Sequence, residues 1–115
     1  MDLNHLHLHV HDRERSRRFY EAWFGFREHA RHDELLFIRN GEGFDLALMP
    51  DPHPVALPEW FHFGFRLESA AAVRELYHRM QAEGVLLRRP LLDDPDLVSF
   101  RAEDPDGYAV EVYWE

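Results

Sequence analysis

Apolar and polar residues alternate strictly at the start of the chain. Leu6, Leu8 and Val10 fall on one side and His5, His7, His9 and His11 on the other, the period-two mark of a half-buried strand. Asp12 stands where a helix N-cap belongs, Phe19, Tyr20 and Trp23 follow at i, i+1, i+4 spacing, and Gly25 closes the segment, so a helix follows the strand. The same order returns further on. Phe61, Phe63, Phe65 and Leu67 alternate against Trp60, His62, Gly64 and Arg66, and Ser69 then caps a helix with the stripe Val73, Leu76, Tyr77 and Met80, ended by Gly84. One offset of 57 positions carries His5 to His62, Asp12 to Ser69, Phe19 to Leu76 and Tyr20 to Tyr77. Unrelated signals that share an offset indicate an internal repeat.

Three strand-like pieces follow each helix, near 26–30, 34–39 and 43–49, then near 85–89, 97–102 and 108–114. Each half therefore reads as βαβββ. The pattern predicts an α+β fold in which two modules, 1–50 and 59–115, form a curved, barrel-like mixed sheet with a shared cavity, within a single domain over 1–115. The connecting segment 50–58, PDPHPVALP, holds four prolines in nine residues and suits a semi-rigid linker. In the last strand Tyr108, Val110, Val112 and Trp114 alternate with Ala109, Glu111 and Tyr113, and the preceding DPDG (104–107) has the form of a type I turn. Matching NGEGFD (40–45) to DGYAVE (106–111) at an offset of 66 puts Asp45 at the position of Glu111.

Composition narrows the chemistry. At 115 residues, 45% hydrophobic and 14% aromatic, the chain is long and apolar enough for one well-buried core. It has no Cys, Lys or Thr, and Ser only at 16, 69 and 99. Those absences exclude disulfides, thiolate metal sites, Schiff-base lysines and a phosphate loop ending in Lys. A formal charge of −9 argues against nucleic acid and anionic membrane surfaces as partners. MDLNHLHLHV lacks the basic start and apolar stretch of a signal peptide, and no apolar run approaches the ~20 residues of a membrane span, so a cytoplasmic protein is expected. Against these absences stand nine His, the commonest metal-ligand type.

If the two repeats pack around a shared cavity, residues at equivalent points of equivalent strands converge: His5 with His62, and Asp45 with Glu111. Two imidazoles and one or two carboxylates suit a divalent cation such as Zn, Ni, Fe(II) or Mn(II), with positions left for substrate. At ~3.3 Å per residue, His7 and His9 lie ~7 and ~13 Å along the strand from His5, which suits the cavity wall. His11, His29, His32, His53 and His78 have no partner in the pattern. The run H-x-H-x-H-x-H alone would be an adventitious chelator, but that leaves His62 and Glu111 unexplained.

LNHLHLHVHD followed by SRRFYEAWFGF, then WFHFGFRL and DPDGYAVEV, together resemble the vicinal oxygen chelate superfamily across essentially the whole chain. That superfamily includes glyoxalase I, fosfomycin and bleomycin resistance proteins, extradiol dioxygenases and methylmalonyl-CoA epimerase. The resemblance implies paired βαβββ modules, a homodimer, and a divalent metal held by His5, His62 and Glu111. Asp45 corresponds to the fourth ligand of glyoxalase I-like enzymes but is shorter than the usual Glu; without it the site is a 2-His-1-carboxylate set. Glu111, Asp45 and His7 are the candidate catalytic bases. Arg66 and Arg101 are candidates for holding an anionic group of the substrate, with His9 and Trp60 lining the cavity. Arg101 stands where fosfomycin resistance proteins carry a tyrosine, and their lysines are missing, which argues against a fosfomycin-thiol transferase. The expected function is a metal-dependent enzyme that binds a small substrate through vicinal oxygens. Its competitor is a metal-free, antibiotic-sequestering protein of the bleomycin resistance type.

Overall fold

The structure, a computed structural model, describes residues 1–115. It contains two compact units, Met1–Val55 and Ala56–Glu115. Unit 1 runs β1 (His5–Val10), α1 (Arg13–Phe24), β2 (Arg27–His32), β3 (Leu35–Arg39) and β4 (Asp45–Pro50). Unit 2 repeats the order with β5 (His62–Arg66), α2 (Ala70–Ala82), β6 (Leu87–Asp93), β7 (Val98–Glu103) and β8 (Ala109–Trp114). The expected βαβββ order is present twice, and the fold is α+β with two separate four-stranded mixed sheets, ordered β1-β4-β3-β2 and β5-β8-β7-β6. In each sheet the first strand pairs parallel with the last, and the other pairings are antiparallel.

Local chemistry sets the element boundaries. The Asp12 carboxylate accepts from the amides of Glu14 and Arg15 and starts α1, and Gly25, at φ 69°, ends it in the left-handed region. The Ser69 hydroxyl accepts from the Ala72 amide to start α2. Unit 1 buries Leu8, Val10, Leu36, Ile38, Leu46 and Leu48 together with Tyr20 and Phe26. Tyr20 alone of the expected Phe19, Tyr20 and Trp23 stripe is fully buried, and Ser16 joins it one turn earlier. Unit 2 buries Val98, Phe100, Ala102, Val110 and Val112 with Val73, Leu76 and Met80 of α2, and Tyr77 meets the Phe100 ring edge-on with centroids 5.1 Å apart. Alternation then forces the opposite side of each sheet to carry the polar set.

The strand register corrects the correspondence between Asp45 and Glu111. Asn40 accepts through Oδ1 from the amides of Glu42 and Phe44, as Asp104 does from Asp106 and Tyr108. Gly43 (φ 84°) and Gly107 (φ 86°) donate to the carbonyls of Asn40 and Asp104 in turn. These are the same turn at an offset of 64, because the left-handed position belongs to Gly43 and not to Gly41. Pairings follow the turns: His5 faces Asp45 as His62 faces Ala109, and His7 faces Ala47 as Gly64 faces Glu111. The counterpart of Glu111 is therefore Ala47, and that of Asp45 is Ala109.

Candidate functional site

In unit 2 the polar side of the sheet gathers His62, Arg101 and Glu111 from three neighbouring strands. Arg101 and Glu111 are register partners on β7 and β8, and Glu111 faces Gly64, two residues along from His62. The missing side chain at Gly64 makes room, since a Cβ there would lie 3.0 Å from the Glu111 carbonyl oxygen and 3.1 Å from its Cβ. His62 Nε2 comes to 3.6 Å from Glu111 Oε2 and 3.1 Å from Arg101 Nη2, while Nδ1 is 3.0 Å from the Trp60 carbonyl. These partners fix the tautomer. A guanidinium only donates and a carbonyl only accepts, so Nδ1 carries the proton and the Nε2 lone pair points at Arg101.

Arg101 is the unusual member. Its side chain is buried, with 8% of the residue exposed, and the shielded Nε–H has no acceptor. It lines a cleft of about 370 Å³ together with Glu59, Trp60, Arg88 and Arg89. Trp60 is 73% exposed there. Arg88 donates to Glu103 and to the Gly107 carbonyl, and Arg89 is the register partner of Arg101 on β6. Arg66, on the His62 side of β5, donates to the terminal carbonyl of Glu115 at 2.6 Å, beside the end of the sheet.

Unit 1 places its candidates differently. His5 Nδ1 meets Asn4 Oδ1 at 2.9 Å, and His9 Nδ1 meets Asp51 Oδ2 at 2.9 Å. The His7 ring leans on His9 with centroids 5.2 Å apart. Asp45 lies across from His5, but Arg39 grips both its oxygens at 2.6 and 3.0 Å. That fork, helped less by the fields of His29 and His5, holds the Asp45 carboxyl below its ordinary value. Asp45 is thus a weakened base with its lone pairs engaged. His9 has the same effect on Asp51, assisted by the His53 amide.

Ordinary divalent cations bind at ~2.1 Å, so two ligands of one ion lie within ~4 Å of each other. The His62–Glu111 separation of 3.6 Å fits that limit, and a neutral His anchored through Nδ1 to a carbonyl is the form a ligating imidazole takes. No group of three or more His, Asp or Glu side chains is gathered at metal-binding distance. Two of the three expected ligands have other partners: His5 bonds Asn4, and Arg101 occupies the His62 lone pair. Sequence reasoning passed over Arg88, Arg89, Arg39 and Gly64. Arg88-Arg89 was visible as a dipeptide, but only the register sets it beside Arg101.

The family model for the Glyoxalase/Bleomycin resistance protein/Dioxygenase superfamily matches residues 2–112. An uncharacterized protein of Pseudomonas aeruginosa is 34% identical over 104 residues, covering 81% of this chain and 74% of that protein. A possible glyoxalase from Bacillus cereus superposes with a TM-score of 0.83 at 33% identity, over 97% of both chains. The fosfomycin resistance protein FosX from Listeria monocytogenes superposes with a TM-score of 0.85 over 100% of this chain and 93% of its own. Its 21% identity marks a shared fold.

Proposed function

Because this chain belongs to the Glyoxalase/Bleomycin resistance protein/Dioxygenase superfamily, we propose that it is a metal-dependent enzyme acting on a small substrate with two neighbouring oxygens. His62 and Glu111 would hold the cation, a divalent ion such as Zn, Ni, Fe(II) or Mn(II), and the repeat nominates His5 as a further donor. The observation that carries this reading is the 3.6 Å approach of His62 Nε2 to Glu111 Oε2 with Nδ1 tied back to Trp60. When bound, the ion supplies charge to offset the oxyanion that develops on the substrate. The chain supplies the rest. The Trp60 carbonyl keeps His62 in one tautomer and orientation. Glu111, 28% exposed, would accept a proton from an adjacent C–H when displaced from the ion, and Arg101 brings fixed positive charge to the same spot. His7 is a second candidate base, and Asp45 is the weakest because Arg39 holds it.

One observation favours the metal-free reading, a binding protein of the bleomycin resistance type. The His62 lone pair already accepts from Arg101 at 3.1 Å, so the guanidinium occupies the direction a cation would take. Elemental analysis of untagged protein separates the two. The enzyme reading expects about one divalent ion per chain, lost in His62→Ala and Glu111→Gln and kept in His7→Ala and His9→Ala, which thin out the histidine ladder. Absence of stoichiometric metal from untagged protein refolded with each of the four ions would overturn it. Homodimerisation, which the family resemblance implies, is checked by light scattering.

A further inference from the structure

Beside His62 the structure assigns a second element of recognition: we propose that Arg101 and Arg89, with Arg88 and Trp60 around them, form a subsite for an oxyanion carried on a flat apolar body, such as an aryl carboxylate or phosphonate. Three observations carry it. Arg101 is more than nine-tenths buried, and its Nε–H is shielded from water with no acceptor. A buried donor left unpaired, on a charged group above all, is expensive, so the side chain is built to meet a partner that the unit does not contain. Second, the charges around it do not cancel. Arg88 is neutralised by Glu103, whereas Arg89 and Arg101 face each other across β6 and β7 and form no ion pair. Glu59 is the one acidic residue lining the cleft. Two guanidiniums held at register distance are stable together when an anion bridges them, and the planar fork matches carboxylate and phosphonate oxygens in pairs. Third, Trp60 stands at the cleft as a residue 73% exposed, and its indole offers a face on which an unsaturated or aromatic body can stack.

The hydrogen bond from Arg101 to His62 joins the two elements. An oxyanion drawing the guanidinium into the cleft would free the His62 lone pair, so that anion binding and use of the His62 site are coupled. The subsite names a substrate class for the centre proposed above and rests on that reading only for its purpose; binding itself does not require the metal.

The test uses the full chain stripped with EDTA, titrated with benzoate and phenylphosphonate and with neutral benzamide as the control of similar shape. Expected is saturable binding of at least one of the two anions and none of benzamide, with the better anion identifying the headgroup. Arg89→Ala, at an exposed position, weakens binding by about tenfold or more, the worth of a lost charge-assisted contact, while Arg18→Ala on α1 leaves it unchanged. Arg101→Leu abolishes binding, and Arg89→Ala keeps the proposal open to refutation should that variant misfold. Equal binding of benzamide, no binding of either anion at tens of millimolar, or full affinity in Arg89→Ala would overturn the subsite. Metal content measured on untagged protein before stripping, and again after reloading with each of the four ions, decides the cation separately: a chain that takes up no stoichiometric ion yet binds phenylphosphonate keeps the subsite and removes the metal-enzyme reading.

Discussion

Gly64→Ala tests the link between backbone approach and site geometry. Gly64 lies in β5 directly opposite Glu111, and its backbone is not in the left-handed region, so the substitution brings no dihedral strain. It does bring steric conflict. The new methyl would sit 3.0 Å from the Glu111 carbonyl oxygen, 3.1 Å from its Cβ and 3.6 Å from its carbonyl carbon. Two of these atoms are backbone of a paired strand and cannot swing away, so β5 and β8 must part by a few tenths of an ångström. Overpacking of this kind costs about 1–3 kcal/mol, offset by about 0.4–1 kcal/mol from the reduced freedom of the unfolded chain. The net is a loss of ~0.5–2 kcal/mol, or a fall in Tm of ~2–8 °C at ~4 °C per kcal/mol for a chain of this size. Urea denaturation read by circular dichroism measures it. Gly41→Ala is the matched control, because no atom lies within 4 Å of its Cβ and its φ is ordinary; it should be neutral or slightly stabilising. A crystal structure of Gly64→Ala should show His62 and Glu111 further apart than 3.6 Å. Wild-type stability together with an unchanged separation would refute the argument that Gly64 is there to admit Glu111.

Removing the α1 cap in Asp12→Ala leaves two amides without their acceptor and should cost about 1 kcal/mol by chemical denaturation, with Asp12→Asn retaining most of it. The Arg39–Asp45 pair should show as acid-dependent stability. The Asp45 carboxyl is held low chiefly by the Arg39 hydrogen bonds, so its contribution is complete above the ordinary carboxylate value and disappears as pH falls through the lowered one. The difference in urea midpoint between wild type and Arg39→Gln should therefore shrink between about pH 5 and pH 2, and a constant difference would contradict the pairing. Arg101→Leu removes a buried charge that has no counter-ion, so thermal unfolding should show stability equal to or above wild type; a large loss would mean that the bond to His62 is chiefly structural.

The sequence made the βαβββ units legible because their signals are local. Alternation in HLHLHV, the caps at Asp12 and Ser69 and the closing Gly25 each depend on a few neighbouring residues, and the structure has them all. Pairing register is not local. Two glycines, Gly41 and Gly43, compete for one turn position, and only the observed φ of 84° at Gly43 shows which is homologous to Gly107; choosing the other slips the alignment by two and moves Asp45 onto the place of Glu111. Burial of Arg101 was equally hidden. On the sequence it is a charged residue on the polar side of a strand, and neither its 8% exposure nor its irregular pairing with Arg89 follows from local pattern. His62 and Glu111 could be nominated from pattern, but the hand-over of the His62 lone pair to a guanidinium could not.

The corrected register gives the two sheets a shared coordinate system. Phe37 and Ala47 occupy in unit 1 the cross-strand places that Arg101 and Glu111 occupy in unit 2. One copy of the duplicated architecture is thus furnished with a cation and a carboxylate, and the other with an aromatic ring and a methyl, on ladders of the same hydrogen-bond pattern. Backbone and chemistry are therefore separable: the scaffold specifies addresses, and the residues written there decide what each copy presents at them. Phe37→Arg with Ala47→Glu defines the minimal graft by which a designer would ask whether unit 1 can be given the cross-strand pair of its sister.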